Sequence, residues 1–330
     1  MGRLLTFNCH EAYVHLLGKL GFDLDIIDGL PGRYASTWDE RMRPVPEGGR
    51  LIRLEQALAA GGYEAAVAHN LTDLLALRSL RMPKVLVLHV NLAARVREER
   101  GAPDVASMQR QLREYLSAVS AVAVAVSEAK ARSWGQTCAV IRPCADPEEY
   151  QGFEGEEAVA LRVANQVLAR PERFAWDAHC GIVSGHAWRL VGHNPELPGA
   201  SPAESWAELR ACYRRHRVYV HTAGQGLDDG YNLGVVEAMM TGMPVVSLAG
   251  SESPVEDGVS GYVSEDVHYL NQRLGALLSD RQLSREIGQR AREKAIEAFS
   301  VAAFVEGWHA ALERARATFA GGRTPEATAL

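Results

Sequence analysis

Long apolar runs are absent from this chain. No stretch of about 18 consecutive apolar residues occurs among its 330 residues. A membrane-spanning helix is therefore not expected. The first ten residues, Met1 to His10, turn polar too early for a secretion signal. Cysteine is scarce: Cys9, Cys138, Cys144, Cys180 and Cys212 are scattered, and no pair has Cys-x-x-Cys spacing. That pattern excludes a disulfide framework and suits a reducing, cytoplasmic compartment. A basic surplus is missing too. The net charge is −6, which argues against a general nucleic-acid binder while leaving room for a local phosphate site. No repeat of solenoid period occurs.

What is present is a mixed α/β pattern. Short apolar runs alternate with longer helical patterns. Candidate strands are Asp23–Asp28, Ala65–His69, Val85–Val90, Ala121–Val126 and Ala139–Arg142, then Leu161–Asn165, Arg189–Gly192, Val218–His221, Val245–Leu248 and Gly261–Val263. Most are continuous Val/Ala/Leu/Ile runs, as strands buried on both faces must be. Helical patterns lie between them at Leu51–Ala60, Leu71–Leu80, Met108–Ser117, Ser205–Arg215 and Leu270–Ser279. Repeated β-α units imply doubly wound parallel sheets. Ten strands fit two sheets better than one. The polar stretch Asp146–Glu157 is the natural junction. The expectation is two facing Rossmann-like domains, 1–150 and 151–330, with an interdomain cleft. A helix around 300–317 is free to pack back on the first domain.

The densest information lies in residues 229–246, Asp-Gly-Tyr-Asn-Leu-Gly-Val-Val-Glu-Ala-Met-Met-Thr-Gly-Met-Pro-Val-Val. Seven residues separate Asp229 from Glu237. A turn at Gly230, Tyr231 and Asn232 leads into a helix from Leu233. Such a turn points unpaired backbone N–H groups at whatever sits before the helix, a natural place for an anion. Asp229 can accept hydrogen bonds from sugar hydroxyls. The two oxygens of Glu237 can grip vicinal ribose hydroxyls. The plain alternative is an amphipathic helix capped by an Asp-Gly turn.

This string resembles the acid-x7-acid signature of retaining GT-B glycosyltransferases, most closely glycosyltransferase family 4. Weaker matches follow in the same order along the chain. Val87-Leu88-His89-Val90 is similar to the family's strand ending in a cleft histidine. Val124 to Lys130 is similar to its strand-Ser-Glu segment, Val140 to Pro147 to its Ile-Pro-Asn-Gly-Val-Asp-Pro segment, and Leu190 to Pro195 to its Val-Gly-x-Gly-Pro segment. The resemblance implies a GT-B fold and sugar transfer from a nucleotide-diphosphate sugar, with retention, to an acceptor hydroxyl. The nucleotide sugar is a co-substrate, so no cofactor and no metal are expected. The one Asp-x-Asp, Asp23-Leu24-Asp25, lies in the N-terminal half. Implied roles are Glu237 on the ribose, Asp229 on the sugar, backbone donors from Gly230, Tyr231, Asn232 and Leu233, and His89 at the donor sugar.

Two departures stand out. The family opens its second domain with an Arg and a Lys that hold the diphosphate. Here the Lys position is Arg170 and the Arg position is the neutral Asn165, leaving Arg173 to supplement the charge. The usual Gly-rich loop after the first strand is replaced by Asn8-Cys9-His10-Glu11-Ala12-Tyr13, without glycine for close backbone approach.

Other residues have two readings each. His89 and His69 end strands, where open α/β sheets bind ligands, yet either can be a satisfied core histidine. His10, Glu11, His69 and Asn70 are the acceptor-side candidates; for His10 and Glu11 the alternative is a solvated helix start. Ser127 reads as a helix cap. His193 follows a strand and can line the base pocket. His179, Cys180, His186 and His193 fit no zinc spacing. The basic run Arg210, Arg214, Arg215 and Arg217 reads as a solvated face, with peripheral membrane contact left open. Two rivals remain: a sugar-nucleotide-binding protein that has lost catalysis, and a nucleotide-sugar epimerase of the same fold. The acceptor, the donor base and the sugar are not legible.

Overall fold

The computed structural model describes residues 2–31, 37–98, 103–227, 231–250 and 252–321. The chain divides into two compact units. The first comprises Met1–Asp39, Pro44–Arg142 and Ala302–Leu330; the second comprises Glu40–Arg43 and Pro143–Val301.

The first unit is built on seven strands: β1 Arg3–Phe7, β2 Asp23–Ile27, β3 Gly49–Ile52, β4 Ala65–Ala68, β5 Lys84–Leu88, β6 Ala121–Ala125 and β7 Ala139–Val140. They lie in the order β3-β2-β1-β4-β5-β6-β7, all parallel. Six helices connect or follow them: α1 Glu11–Leu17, α2 Leu54–Ala60, α3 Leu71–Ala76, α4 Leu92–Glu98, α5 Val105–Ala118 and α6 Glu128–Ser133. The helix Val301–Gly321 counts with this unit from Ala302 onward. The central strands are buried along their whole length, because helices cover both faces. The strand order reverses between β1 and β4, which makes the carboxyl ends of those strands the natural ligand crevice of this unit.

Two strands escaped the sequence pattern. β1 holds only three apolar residues, Leu4, Leu5 and Phe7, interrupted by Thr6. β3 is an edge strand with exposed side chains, so it carries no apolar signal. Leu51 and Ile52 were expected to begin a helix. They pair instead with Ile26 and Ile27, and α2 starts at Leu54. Partner-strand hydrogen bonds override local helical periodicity at a sheet edge.

The second unit has five parallel strands: β8 Glu157–Val163, β9 Trp188–Val191, β10 His216–His221, β11 Val245–Leu248 and β12 Gly261–Ser264. Their order is β12-β11-β10-β8-β9, so this sheet reverses between β8 and β10. Its helices are α7 Trp176–Val183, α8 Trp206–Arg215, α9 Leu233–Thr241, α10 Val267–Ser279 and α11 Arg281–Ala298. In α9, every residue from Val235 to Thr241 is buried. Full burial of each large apolar side chain there contributes roughly 1.5–3 kcal/mol, which holds the helix although Gly234, Val235, Val236 and Thr241 are weak helix formers. Gly242 stops it with φ +94°, a left-handed cap that glycine adopts without strain. Among the described residues no helix is long and apolar enough to cross a membrane.

Candidate functional site

In the second unit the site forms at the carboxyl edge of the sheet. Asp229 and Gly230 lie outside the described residues. The segment resumes at Tyr231, whose ring meets Phe299 edge-on at 5.3 Å. Asn232 is the N-cap of α9, its side-chain oxygen accepting from the Gly234 N–H at 2.9 Å. Leu233 is the first helical residue.

One turn further on, Glu237 is buried, and both of its oxygens are engaged. Arg43, also buried and counted in this unit, donates to Oε1. The Tyr213 hydroxyl donates to Oε2 at 3.0 Å, and the Tyr150 hydroxyl bonds the same carboxylate. The Arg43 guanidinium stands 5.9 Å from the Trp206 ring centroid. Burial works against the charge of Arg43, and Glu237 more than offsets it, so Arg43 stays protonated. Burial, then the Glu237 charge, raises both phenols well above their usual range. The acid thus sits in a closed polar cluster.

The β8–β10 switch point is tied by a second arginine. Arg162 points from β8 and is buried. It donates to the hydroxyl of Thr222, to the Thr222 carbonyl at 3.0 Å and to the Phe174 carbonyl at 3.2 Å. Phe174 lies between two cations: Arg162 is 5.7 Å from its ring centroid and Arg170 is 5.5 Å away. Arg170 is exposed at the end of this corner, where a guanidinium can reach an anion. Arg173 accepts from the Gly224 N–H through its carbonyl at 2.9 Å.

Asn165 serves the backbone in this structure. Its side-chain oxygen accepts from the His193 N–H at 2.8 Å. Asn194 accepts from the Val167 N–H at 2.9 Å and donates to the Ala164 carbonyl at 2.8 Å. These amides lock the loop after β8 to the loop after β9. Gly192 completes the lock: at φ +142°, a Cβ there would stand 2.1 Å from the Ala164 oxygen. His193 itself is exposed. His179 is a core aromatic, stacked on Trp176 at 4.9 Å and edge-on to Trp188 at 5.1 Å. Burial, reinforced by Arg162, pushes its imidazole down to about 2. Among the described residues no three His, Cys, Asp or Glu side chains group as metal ligands.

In the first unit the strand ends bring together residues distant in sequence. His10 precedes α1, His69 follows β4 and His89 follows β5. The His69 and His89 rings are joined from Nδ1 to Nε2 at 3.0 Å, and Thr6 Oγ1 lies 2.9 Å from His69 Nε2. His10 meets His89 edge-on at 5.1 Å, and Tyr13 meets it at 4.6 Å. Burial, then the neighbouring His10, His69 and Lys130, holds His89 well below the usual imidazole value. Glu11 opens α1 half-buried; burial raises its carboxyl, and the nearby Asp39 and Asp28 add to that against backbone N–H bonds at Glu11 and Asp39. Asn70 caps α3, accepting from the Asp73 N–H at 2.9 Å. The Asp-x-Asp acid Asp25 is structural. It is buried beneath Arg50, at 2.5 and 2.9 Å, and the Tyr63 hydroxyl, at 2.8 Å.

Sequence reasoning missed Thr6, Arg43, Tyr150, Tyr213, Arg162 and Thr222. Arg162 had a readable signal, a charge inside an apolar strand. Arg43 had none, for it sits in a polar loop nearly two hundred positions from its partner.

Two parallel sheets of these orders, each with polar side chains gathered at its carboxyl edge, define a GT-B protein. Comparison with known proteins places it further. Residues 160–280 match the family model described as Glycosyl transferases group 1; the matched stretch lies within the second unit and includes the whole of α9. An 86-residue stretch is 33% identical to poly(ribitol-phosphate) alpha-N-acetylglucosaminyltransferase of Staphylococcus aureus (strain COL), covering 24% of this chain and 17% of that protein. An 80-residue stretch is 30% identical to trehalose synthase of Pyrococcus horikoshii, covering 24% and 19%. The matched stretches thus span under a fifth of the length of these curated relatives. The structure of Anabaena HepE in complex with UDP and glucose aligns with a TM-score of 0.71 at 15% identity, over 95% of this chain and all of that one. At that identity the likeness establishes the fold.

Proposed function

We propose that this protein is a glycosyltransferase that moves a sugar from a nucleotide-diphosphate sugar to an acceptor hydroxyl, with retention of configuration and without a metal or cofactor. The observation that carries this reading is Glu237. It is a buried acid, held by Arg43 and Tyr213, one turn inside the helix that follows the Asn232 cap, within the segment that matches group 1 glycosyltransferases. A carboxylate held there can take two vicinal hydroxyls of a ribose. For that, Arg43 must leave Oε1. Asp229 takes hydroxyls of the sugar, and Tyr231, Asn232 and Leu233 frame the approach to the helix. Arg170 and Arg173, with the N–H groups at the start of α9, take up the charge that grows on the departing diphosphate. Fixed cations and dipoles of this kind supply the largest catalytic contribution available to such a site. The acceptor hydroxyl attacks on the face from which the diphosphate leaves. The donor binds in the second unit, and the polar residues His10, Glu11 and Asn70 of the first serve the acceptor; His69, buried and bonded to Thr6 and His89, stands behind them. Uridine is the first base to test, because HepE was solved with UDP and glucose. The cytoplasm, where nucleotide sugars form, suits a chain with scattered cysteines.

One observation favours a second reading. With both Glu237 oxygens engaged and Asn165 spent on the backbone, a nucleotide-binding protein without turnover is consistent with the same geometry. Melting temperatures in UDP, GDP, ADP and dTDP, with and without attached sugars, followed by product analysis, separate the two. A ligand at a hundred times its Kd stabilises the native state by about 2.7 kcal/mol. One base should shift the melting temperature and its sugar should be transferred. Binding without transfer would establish the second reading, and no shift with any nucleotide would refute both.

A further inference from the structure

Beyond the carboxyl ends of β1 and β2 the first unit gathers hydrogen-bond acceptors. Asn8 follows β1, and its backbone N–H donates to the Ile27 carbonyl at 2.9 Å. Asp28 follows β2 and is fixed in the same way, donating to the Ile52 carbonyl at 2.9 Å. Glu11, the first residue of α1, comes three positions after Asn8. Asn8 is only 5% exposed. Its side-chain Nδ2 donates to Asp28 Oδ1 at 2.9 Å. That contact orients the amide, because the reverse placement would set two oxygens against each other. Oδ1 is then buried with no hydrogen-bond partner among the described residues. A buried acceptor without a donor is costly, and native proteins keep few of them.

The surroundings do not supply the missing donors. Arg53 reaches the Asp28 backbone carbonyl, at 3.2 Å, and not its carboxylate. Burial, then the neighbouring acids Asp39 and Asp28, holds the Glu11 carboxyl above its usual value, against backbone N–H bonds at Glu11 and Asp39. A ligand that fits must therefore bring protons and positive charge. A hydroxyl brings one proton and two lone pairs, and the lone pairs would face carboxylates. An ammonium brings three donors, no acceptor and the opposite charge. A metal ion fits less well, since among the described residues no three His, Cys, Asp or Glu side chains group as ligands.

We propose that Asn8, Asp28 and Glu11 form a subsite for an ammonium group, and that the acceptor of the transfer is a hydroxylated amine such as an amino sugar. The ammonium enters past Asp28 and Glu11, which are partly exposed, and Asn8 Oδ1 is its innermost acceptor. The place suits a ligand, because the strand order of this sheet reverses beside β1 and opens a crevice at the strands' carboxyl ends. Residues 8–13 contain no glycine, so this segment presents side chains there. The ammonium subsite stands on the first unit by itself; its assignment to the acceptor rests on the glycosyltransferase reading above.

The test is calorimetric titration of the full chain at neutral pH with glucosamine, glucose and N-acetylglucosamine, with and without saturating UDP. These probes share one ring and differ at one carbon, which carries an ammonium, a hydroxyl or a neutral amide. Glucosamine should bind at least tenfold more tightly than either of the others. Asp28→Asn and Glu11→Gln keep the side-chain shapes, and each should remove most of that preference. Asp28→Asn still offers an oxygen to Asn8 Nδ2, and melting temperatures report whether each variant folds. Asn8→Ala should weaken glucosamine and leave glucose unchanged; if it fails to fold, the two acid variants still decide. Equal affinity for glucosamine and glucose would overturn the subsite. So would a preference that survives both acid substitutions, or no binding of any probe at millimolar concentration. In a transfer assay with the UDP-sugar chosen by melting, glucosamine should be the better acceptor. Transfer to glucose as readily as to glucosamine would overturn the acceptor assignment. A chain that shows the preference but transfers from no nucleotide sugar would refute the glycosyltransferase reading and leave the subsite standing.

Discussion

The pairing of Arg43 with Glu237 can be measured as a coupling energy. Their side chains are 4% and 6% exposed, so the contact is almost free of solvent screening. At an effective dielectric of about 20, unit charges ~4 Å apart attract by about 4 kcal/mol. Removing one partner of a buried pair costs about 3–5 kcal/mol, because the other charge stays buried and uncompensated. Removing both charges together is far cheaper. Arg43→Met and Glu237→Gln should each destabilise the second unit by about 3 kcal/mol, and the double variant by about 1 kcal/mol. The coupling would then be about 5 kcal/mol. Tyr150 and Tyr213 temper the cost of Arg43→Met, since their hydroxyls still reach the carboxylate. The assay is guanidinium unfolding of the four proteins in one buffer. Coupling below about 0.5 kcal/mol would show that the pair does not form in solution. The same variants test the site. Glu237→Gln should lose most UDP-induced stabilisation. Arg43→Met should bind UDP more tightly, because no guanidinium has to be displaced; weaker binding would mean that Arg43 belongs to the nucleotide contact itself.

Other outcomes follow from single features. Asp229→Ala should weaken binding of the sugar nucleotide while sparing the bare nucleotide, and titrations with each ligand read this directly. Gly192→Ala places a methyl 2.1 Å from the Ala164 carbonyl oxygen, so thermal melting should show a loss of at least about 2 kcal/mol; an unchanged melting temperature would refute the lock between the two loops. His179 has its folded value pushed down to about 2 from 6.5. The unfolded chain therefore binds the extra proton, and this contribution is complete above pH 6.5 and lost progressively as pH falls towards 2. Between pH 6.5 and 4.5 the loss should be on the order of 2 kcal/mol, and His179→Phe should flatten that part of the stability profile.

Local patterns revealed much of the architecture. Apolar runs such as Val85–Val90 and Val245–Leu248 read as strands because burial on both faces favours apolar side chains, and they lie in parallel sheets, the first as Lys84–Leu88. Ser127 was legible as a cap, and its hydroxyl accepts from the Lys130 N–H. The helix from Leu233 and its stop at Gly242 were legible from turn chemistry. β3 was not, because an exposed edge strand is defined by the neighbour it pairs with.

The site divides along the same line. Sequence by itself determined which residues can do chemistry near α9: two acids separated by seven residues, a capping Asn and a Gly-Met-Pro stop. It also placed His69 and His89 at the ends of buried strands. Tertiary structure alone decided that Glu237 is closed over by Arg43, Tyr150 and Tyr213, that Asn165 serves the backbone, and that Thr6, His69 and His89 form one chain of hydrogen bonds. The physical reason is range. Helix caps and strand burial are set by neighbours within a few positions, whereas an ion pair or a ring-to-ring hydrogen bond depends on which distant strands and loops the fold brings within 3 Å.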